Sequence, residues 1–181
     1  QALASAERAL ALDHNEAMAH HATGTVLNYM ARFERSEFHF LRALELNPLE
    51  VTISTDYANL LLHTGRNAEA LAIVEELQRR DPYPPTWMHF VHGKVLFFSG
   101  RFEEAIRALD NGSPWMFRAH GLLAAAHAMN GSSEEARRHV ELMKVAKPDI
   151  RFEVFSATLP FADRSALDFL RDALRKAGFD D

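Results

Sequence analysis

One phrase recurs along this chain. "GRNAEALA" begins at Gly65, "GRFEEAIR" at Gly100 and "GSSEEARR" at Gly131, at intervals of 35 and 31 residues. A looser copy, "ARFERSEF", begins at Ala31, 34 residues before Gly65. Reaction-site motifs do not recur at such intervals, whereas supersecondary units do. A second register agrees. "RALALDHNEA", ending at Ala17, matches "RALELNPLEV", ending at Val51, and pairs Ala9 with Ala43, Leu10 with Leu44 and Leu12 with Leu46. A further shift of the same length takes Pro48 to Pro82.

Within each unit the apolar residues fall three and four apart. Ala70, Ile73, Val74 and Leu77 form one stripe, and Ala105, Ile106 and Leu109 another, as on one face of a helix. No stretch sustains the alternation of a strand. Gly65, Pro82, Gly100, Pro114, Gly131 and Pro148 fall between the stripes. Each unit therefore reads as a helix, a short turn with glycine, a second helix, and then Asp-Pro or a similar break. The turn glycines are expected to supply left-handed backbone at a helix end, and each proline to precede a new helix.

These residues resemble the tetratricopeptide repeat, a helix-turn-helix unit of about 34 residues. The resemblance rests on small residues midway along the first helix (Gly24, Ala58, Gly93, Ala124) and alanines early in the second (Ala70, Ala105, Ala136). Large apolar residues follow four later (Val74, Leu109, Val140, with Phe40 in the first unit), and the units close on Pro48, Pro82 and Pro148. Two departures stand out: Ser36 replaces the early alanine, and "LDNGSPW" truncates one second helix after Leu109. The resemblance implies an all-α, right-handed superhelix of stacked helix pairs with a C-terminal cap. The array is expected over 1–149, with units at about 17–50, 51–85, 86–116 and 117–149. Residues 1–13 match only the second helix of an incomplete unit, and the chain starts at Gln1, so a longer polypeptide is expected. Leu3, Ala6 and Leu10 then either present an apolar face for self-association or pack on the next helix pair.

Residues 150–181 break the rhythm and read as capping helices, with Asp163 as an N-cap, a stripe of Leu167, Leu170 and Leu174, and Gly178 as the stop. Asp168, Arg171, Asp172, Arg175 and Lys176 supply the polar outer face that a terminal cap needs. The stretch "LPFADRSALDFLRDALRKAGFDD" is similar to the tail of tetratricopeptide arrays that follow cyclase or winged-helix domains in bacterial signalling proteins. The matching residues are Leu159, Pro160, Phe161, Leu174, Arg175, Lys176, Ala177 and Gly178. That similarity implies a regulatory array, and a cysteine-free chain fits a reducing, cytoplasmic compartment.

Composition narrows the partners. Apolar residues make up 48% of the chain and charged residues 25%, as in a globular protein. The net charge of −5 is spread along the chain with no basic stripe, so a nucleic-acid partner is not expected. No apolar run reaches the roughly 18 residues of a membrane span. Cysteine is absent, which removes disulfides and thiolate-bound metals.

The ten histidines raise the question of metal chemistry. Adjacent His20 and His21 diverge by about 100° on a helix, His89 and His92 are three apart, and His120 and His127 lie about two turns apart. None makes the three- or four-ligand set that a metal site wants. Glu103, Glu104, Glu134 and Glu135 sit near second-helix starts, where negative charge suits the helix dipole. No nucleophile elbow or phosphate-cradling glycine series is present. No catalytic residue, cofactor or metal is expected; the alternative is an enzyme using His and Glu on the groove, which loss of activity with His89→Ala plus His92→Ala would reveal.

The resemblance instead implies function through a concave groove lined by first helices. It places Thr25, Asn28, Tyr29, Asp56, Asn59, His63, Trp87, Phe90, Lys94, Phe97 and Arg118 towards that groove. Tyr29, Phe90 and Phe97 would grip apolar side chains, Asn28 and Asn59 a peptide backbone, and Lys94 and Arg118 carboxylates. Phe90 and Phe97 are equally readable as core. Asn59, Lys94 and Arg118 lack the full spacing of the clamp with which some members hold acidic C-termini. The expected partner is a protein or peptide; the alternative is the chain's own segment or a small ligand. A homodimer through the apolar run Val95–Phe98 is a separate expectation.

Overall fold

The computed structural model describes residues 1–81, 83–112 and 116–180. Its helices are α1 (Ala2–Leu12), α2 (Ala17–Tyr29), α3 (Phe33–Leu46), α4 (Val51–His63), α5 (Asn67–Arg80), α6 (Thr86–Phe98), α7 (Phe102–Asp110), α8 (Phe117–Met129), α9 (Ser133–Ala146), α10 (Phe152–Ser156) and α11 (Arg164–Lys176). Among the described residues there is no strand. Four antiparallel pairs, α2–α3, α4–α5, α6–α7 and α8–α9, stack side by side as a helical solenoid, and α11 packs on α8 to close it.

The bends between paired helices are equivalent. Gly65, Gly100 and Gly131 have φ of 81°, 76° and 84°. Ala31 holds the same place with φ 54°, the one described non-glycine residue of positive φ. In all four, the residue after the left-handed one donates its N–H five residues back, from Arg32 to Leu27, Arg66 to Leu61, Arg101 to Leu96 and Ser132 to His127. These bonds satisfy carbonyls that the helix end would otherwise leave bare.

Small residues set the crossing distance within each pair. A Cβ on Gly93 would lie 2.4 Å from Leu109 Cγ, and one on Gly24 would lie 3.1 Å from the Phe40 ring. Ala58 and Ala124 are fully buried at the equivalent crossings. The departure at Ser36 has a local reason: its buried hydroxyl donates to the Gly24 carbonyl at 2.7 Å, tying α3 to α2. The truncation after Leu109 is real, since α7 has 9 residues where α3, α5 and α9 have 14. The expected breaks at Pro82 and Pro114 lie outside the described residues.

The stacking is asymmetric. Consecutive first helices meet, α2 with α4, α4 with α6 and α6 with α8, whereas among the described residues consecutive second helices barely touch. The first helices therefore form the tighter, inner layer. Arginines of the bends span the wider outer gaps. Arg66 bonds Glu37 of α3 while holding Glu69 of α5 through two nitrogens at 2.8 and 2.7 Å. Arg101 repeats this with Glu75 of α5 and with Glu104 of α7 at 2.6 and 2.5 Å. The guanidinium of Arg101 holds the Glu104 carboxyl below its ordinary range.

At the ends, α1 packs on α2 through buried Ala6 with Leu3 and Leu10 half-buried, while Leu12 projects into solvent. Val95, Leu96 and Phe97 are buried and Phe98 packs against the core, so the apolar run expected to support a dimer is consumed inside the chain. At the other end Asp163 caps α11 by accepting from the Ser165 N–H at 2.9 Å, and Gly178 ends it with φ 88°. Phe155 of α10 fills the space that a Cβ on Gly121 would occupy, 2.3 Å away.

Candidate functional site

The inner layer carries a chain of polar side chains from one first helix to the next. His21 and Thr25 of α2 reach Asp56 of α4, at 2.8 and 3.5 Å. Asn28 Oδ1 of α2 lies 3.0 Å from His63 Nδ1 of α4. Lys94 of α6 donates to Asn59 Oδ1 of α4, and its Nζ lies 3.4 Å from His63 Nε2. An amide oxygen can only accept, so His63 turns its Nδ1–H to Asn28 and a bare Nε2 to Lys94. The pairs 21–56, 28–63 and 59–94 each span 35 residues, one repeat plus one position.

Burial tunes these groups. Lys94 is 2% exposed, and its pKa falls to about 7, chiefly because burial disfavours the charge; Asp56 opposes the shift and Arg118 adds to it. His63 lies well below its ordinary value, first from burial and then from Lys94. Tyr29 is raised by burial and Asp56, against the pull of Arg118 and Asn59. The charges of Asp56 and Arg118 thus act on both Tyr29 and Lys94, across four first helices.

The eleven residues expected in the groove divide into two layers. Asn28, Asn59, His63, Lys94 and Phe97 are buried and spend their contacts within the chain. Phe97 lies against Phe98, Phe102 and Phe169, at the junction with α11. Thr25, Asp56, Phe90 and Arg118 are half-buried, and Tyr29 and Trp87 are 57% and 43% exposed. Phe90 supports the Lys94 ammonium 5.8 Å from its ring centre, and the Arg118 guanidinium lies 5.2 Å over Phe117. Tyr29, Asp56, Trp87, Phe90 and Arg118 thus keep exposed area on the same first helices whose Asn28, Asn59, His63 and Lys94 hydrogen-bond one another.

Sequence reasoning passed over two contributors. His21 joins the network through Asp56, and its 35-residue offset from Asp56 was the available signal. Phe161, in the segment between α10 and α11, lies edge-on to His63 with ring centres 5.2 Å apart and packs on Phe98 at 4.7 Å. The next residue, Ala162, donates its N–H to the His63 carbonyl at 2.8 Å. The tail thus covers the C-terminal ends of α4 and α6.

Among the described residues, no three His, Asp or Glu side chains cluster to hold a metal, and no helix is long and apolar enough to cross a membrane. His89 lines a hollow beside the shortened α7, and His92 is fully buried with neither ring nitrogen partnered.

Stacked helix pairs, left-handed bends and small crossing residues define a tetratricopeptide solenoid. The tetratricopeptide-repeat family pattern matches residues 21–85 and 90–149, and the chain belongs to that family. Solved structures share the fold. PilW, a widely conserved type IV pilus biogenesis factor, superposes with a TM-score of 0.71 at 20% identity, over 98% of this chain and 86% of that one. YrrB, described as a TPR protein with an unusual peptide-binding site, gives 0.62 at 18% identity, over 95% and 90%. MamA from Desulfovibrio magneticus RS-1 gives 0.64 at 17% identity, over 82% and 86%. No curated protein matches the sequence closely enough to serve as a relative.

Proposed function

We propose that this chain is a protein- or peptide-binding scaffold whose inner face grips an extended segment of its partner. We read 1–149 as the array and 150–181 as its cap, in the C-terminal part of a larger cytoplasmic signalling or regulatory protein of bacteria. What supports the reading is that Tyr29, Asp56, Trp87, Phe90 and Arg118 keep exposed area on first helices tied together by the hydrogen bonds of Asn28, His63, Lys94 and Asn59. Aromatic and arginine side chains on a rigid base are the usual anchors of protein interfaces, because they bury large areas at small entropic cost. Asp56 suits a cationic group of the partner and Arg118 a carboxylate. YrrB, with the same fold, supports a peptide as the occupant.

A second reading has its own observation. The Ala162 N–H bonded to the His63 carbonyl, with Phe161 beside it, is already a peptide segment docked on this array. In that reading the tail regulates access to the same face. Panning a displayed peptide library on the intact chain tests both. Selected peptides should lose about 1–3 kcal/mol of binding to the Tyr29→Ala, Arg118→Ala double variant. Phe161→Ala should strengthen binding if the tail competes and leave it unchanged otherwise. Peptides that bind the double variant as well as the parent would remove the inner face from consideration.

A further inference from the structure

Two histidine pairs stand apart from the inner face. His20 of α2 meets His39 of α3, Nδ1 to Nδ1, at 3.0 Å, and His120 of α8 meets His139 of α9 in the same way at 3.1 Å. Each pair spans 19 residues and joins the two helices of one repeat. In each, one nitrogen donates and the other accepts.

The surroundings of the first pair fix its protons. His20 Nε2 lies 3.1 Å from the His14 backbone carbonyl, which can only accept. That nitrogen therefore carries the proton, and His20 Nδ1 turns a bare lone pair towards His39. An imidazole held to a carbonyl through one nitrogen and bare at the other has the preparation of a metal ligand. Burial, and then His20, hold His39 below its ordinary pKa. When an ion arrives, the Nδ1 proton of His39 moves to Nε2 by tautomer exchange, and both Nδ1 atoms are free to bind.

The spacing suits one ion. Two nitrogens held about 2.0–2.1 Å from a metal stand about 2.9 Å apart at a right angle and about 3.3–3.4 Å apart at the tetrahedral angle. The observed separation lies between these. Imidazole nitrogen favours nickel, copper and zinc over magnesium and calcium, which prefer oxygen. We propose that His20 and His39 form a two-histidine site for a divalent transition-metal ion, completed by water, that staples α2 to α3. His39 is half-exposed and gives the ion a way in. His120 and His139 are 8% and 9% exposed, and the His127 ring stacks on His139 at 5.4 Å. That second pair stays an enclosed hydrogen bond and serves as an internal control.

Titrating the intact chain with nickel chloride, by calorimetry and by thermal unfolding, tests the site. One ion should bind per chain, and the melting temperature should rise with nickel concentration but not with magnesium. His39→Ala, with His39→Gln as a milder variant, should abolish the nickel-dependent rise, while His139→Ala should keep it. Absence of a rise in the parent, a rise that survives both His39 variants, or one lost equally in His139→Ala would overturn the proposal.

Discussion

Ala31 offers a test of repeat equivalence that involves no side-chain contact. Its φ of 54° places it where three later units have glycine. Holding a non-glycine residue in that region costs roughly 1–2 kcal/mol. Glycine removes the cost but adds about 0.4–1 kcal/mol of unfolded-chain entropy. Ala31 is exposed, so Ala31→Gly deletes a methyl group that faces solvent. The net gain should be about 0.5–1 kcal/mol, or about 1–4 °C for a chain of this size. The reverse changes isolate the same term, because a Cβ on Gly65, Gly100 or Gly131 meets nothing within 4 Å. Each glycine-to-alanine variant should lose about what Ala31→Gly gains. Urea unfolding followed by circular dichroism, with unchanged slope, gives the differences. Loss of stability in Ala31→Gly, or no effect from all three reverse changes, would refute the equivalence of the bends.

Other perturbations follow from the packing. Gly121→Ala should cost about 1–3 kcal/mol, because its Cβ would meet Phe155 at 2.3 Å, and limited proteolysis should then release the tail early. His92→Leu should stabilise by about 1–2 kcal/mol in urea unfolding, since it replaces a buried ring with two unpartnered nitrogens. His92 and His139 are depressed to about 4, and His63 is also low, so the unfolded chain takes up protons first as pH falls below about 6.5. Stability should fall between pH 6.5 and about 4, and His92→Leu should flatten part of that decline in a pH series of urea midpoints. Lys94 titrates near 7 in the folded chain and near its ordinary 10.5 when unfolded, so stability should also rise between those values and level off below 7.

The helices and bends were legible because each needs only local chemistry: an apolar stripe, a left-handed glycine, a small residue at a crossing. Ser36 looked like a defect because its partner, the Gly24 carbonyl, lies on another helix. The same non-local logic divided the candidate site. The resemblance pointed Asn28, Asn59, His63 and Lys94 towards the inner layer, but only the fold shows that they satisfy one another and lie beneath the surface. Phe161 was illegible as a contributor because its segment lacks the repeat rhythm that places every other inner residue. The histidine pairs left a trace, the spacing of 19 residues at His20 and again at His120, but single-helix geometry could not connect partners on two helices.

Amide hydrogen exchange on the intact chain, with and without a bound peptide, tests the claim that function resides in the inner layer. Protection should appear along α2, α4 and α6, around Tyr29, Asp56 and Phe90, with α3, α5 and α9 unchanged. Protection confined to the second helices would contradict it.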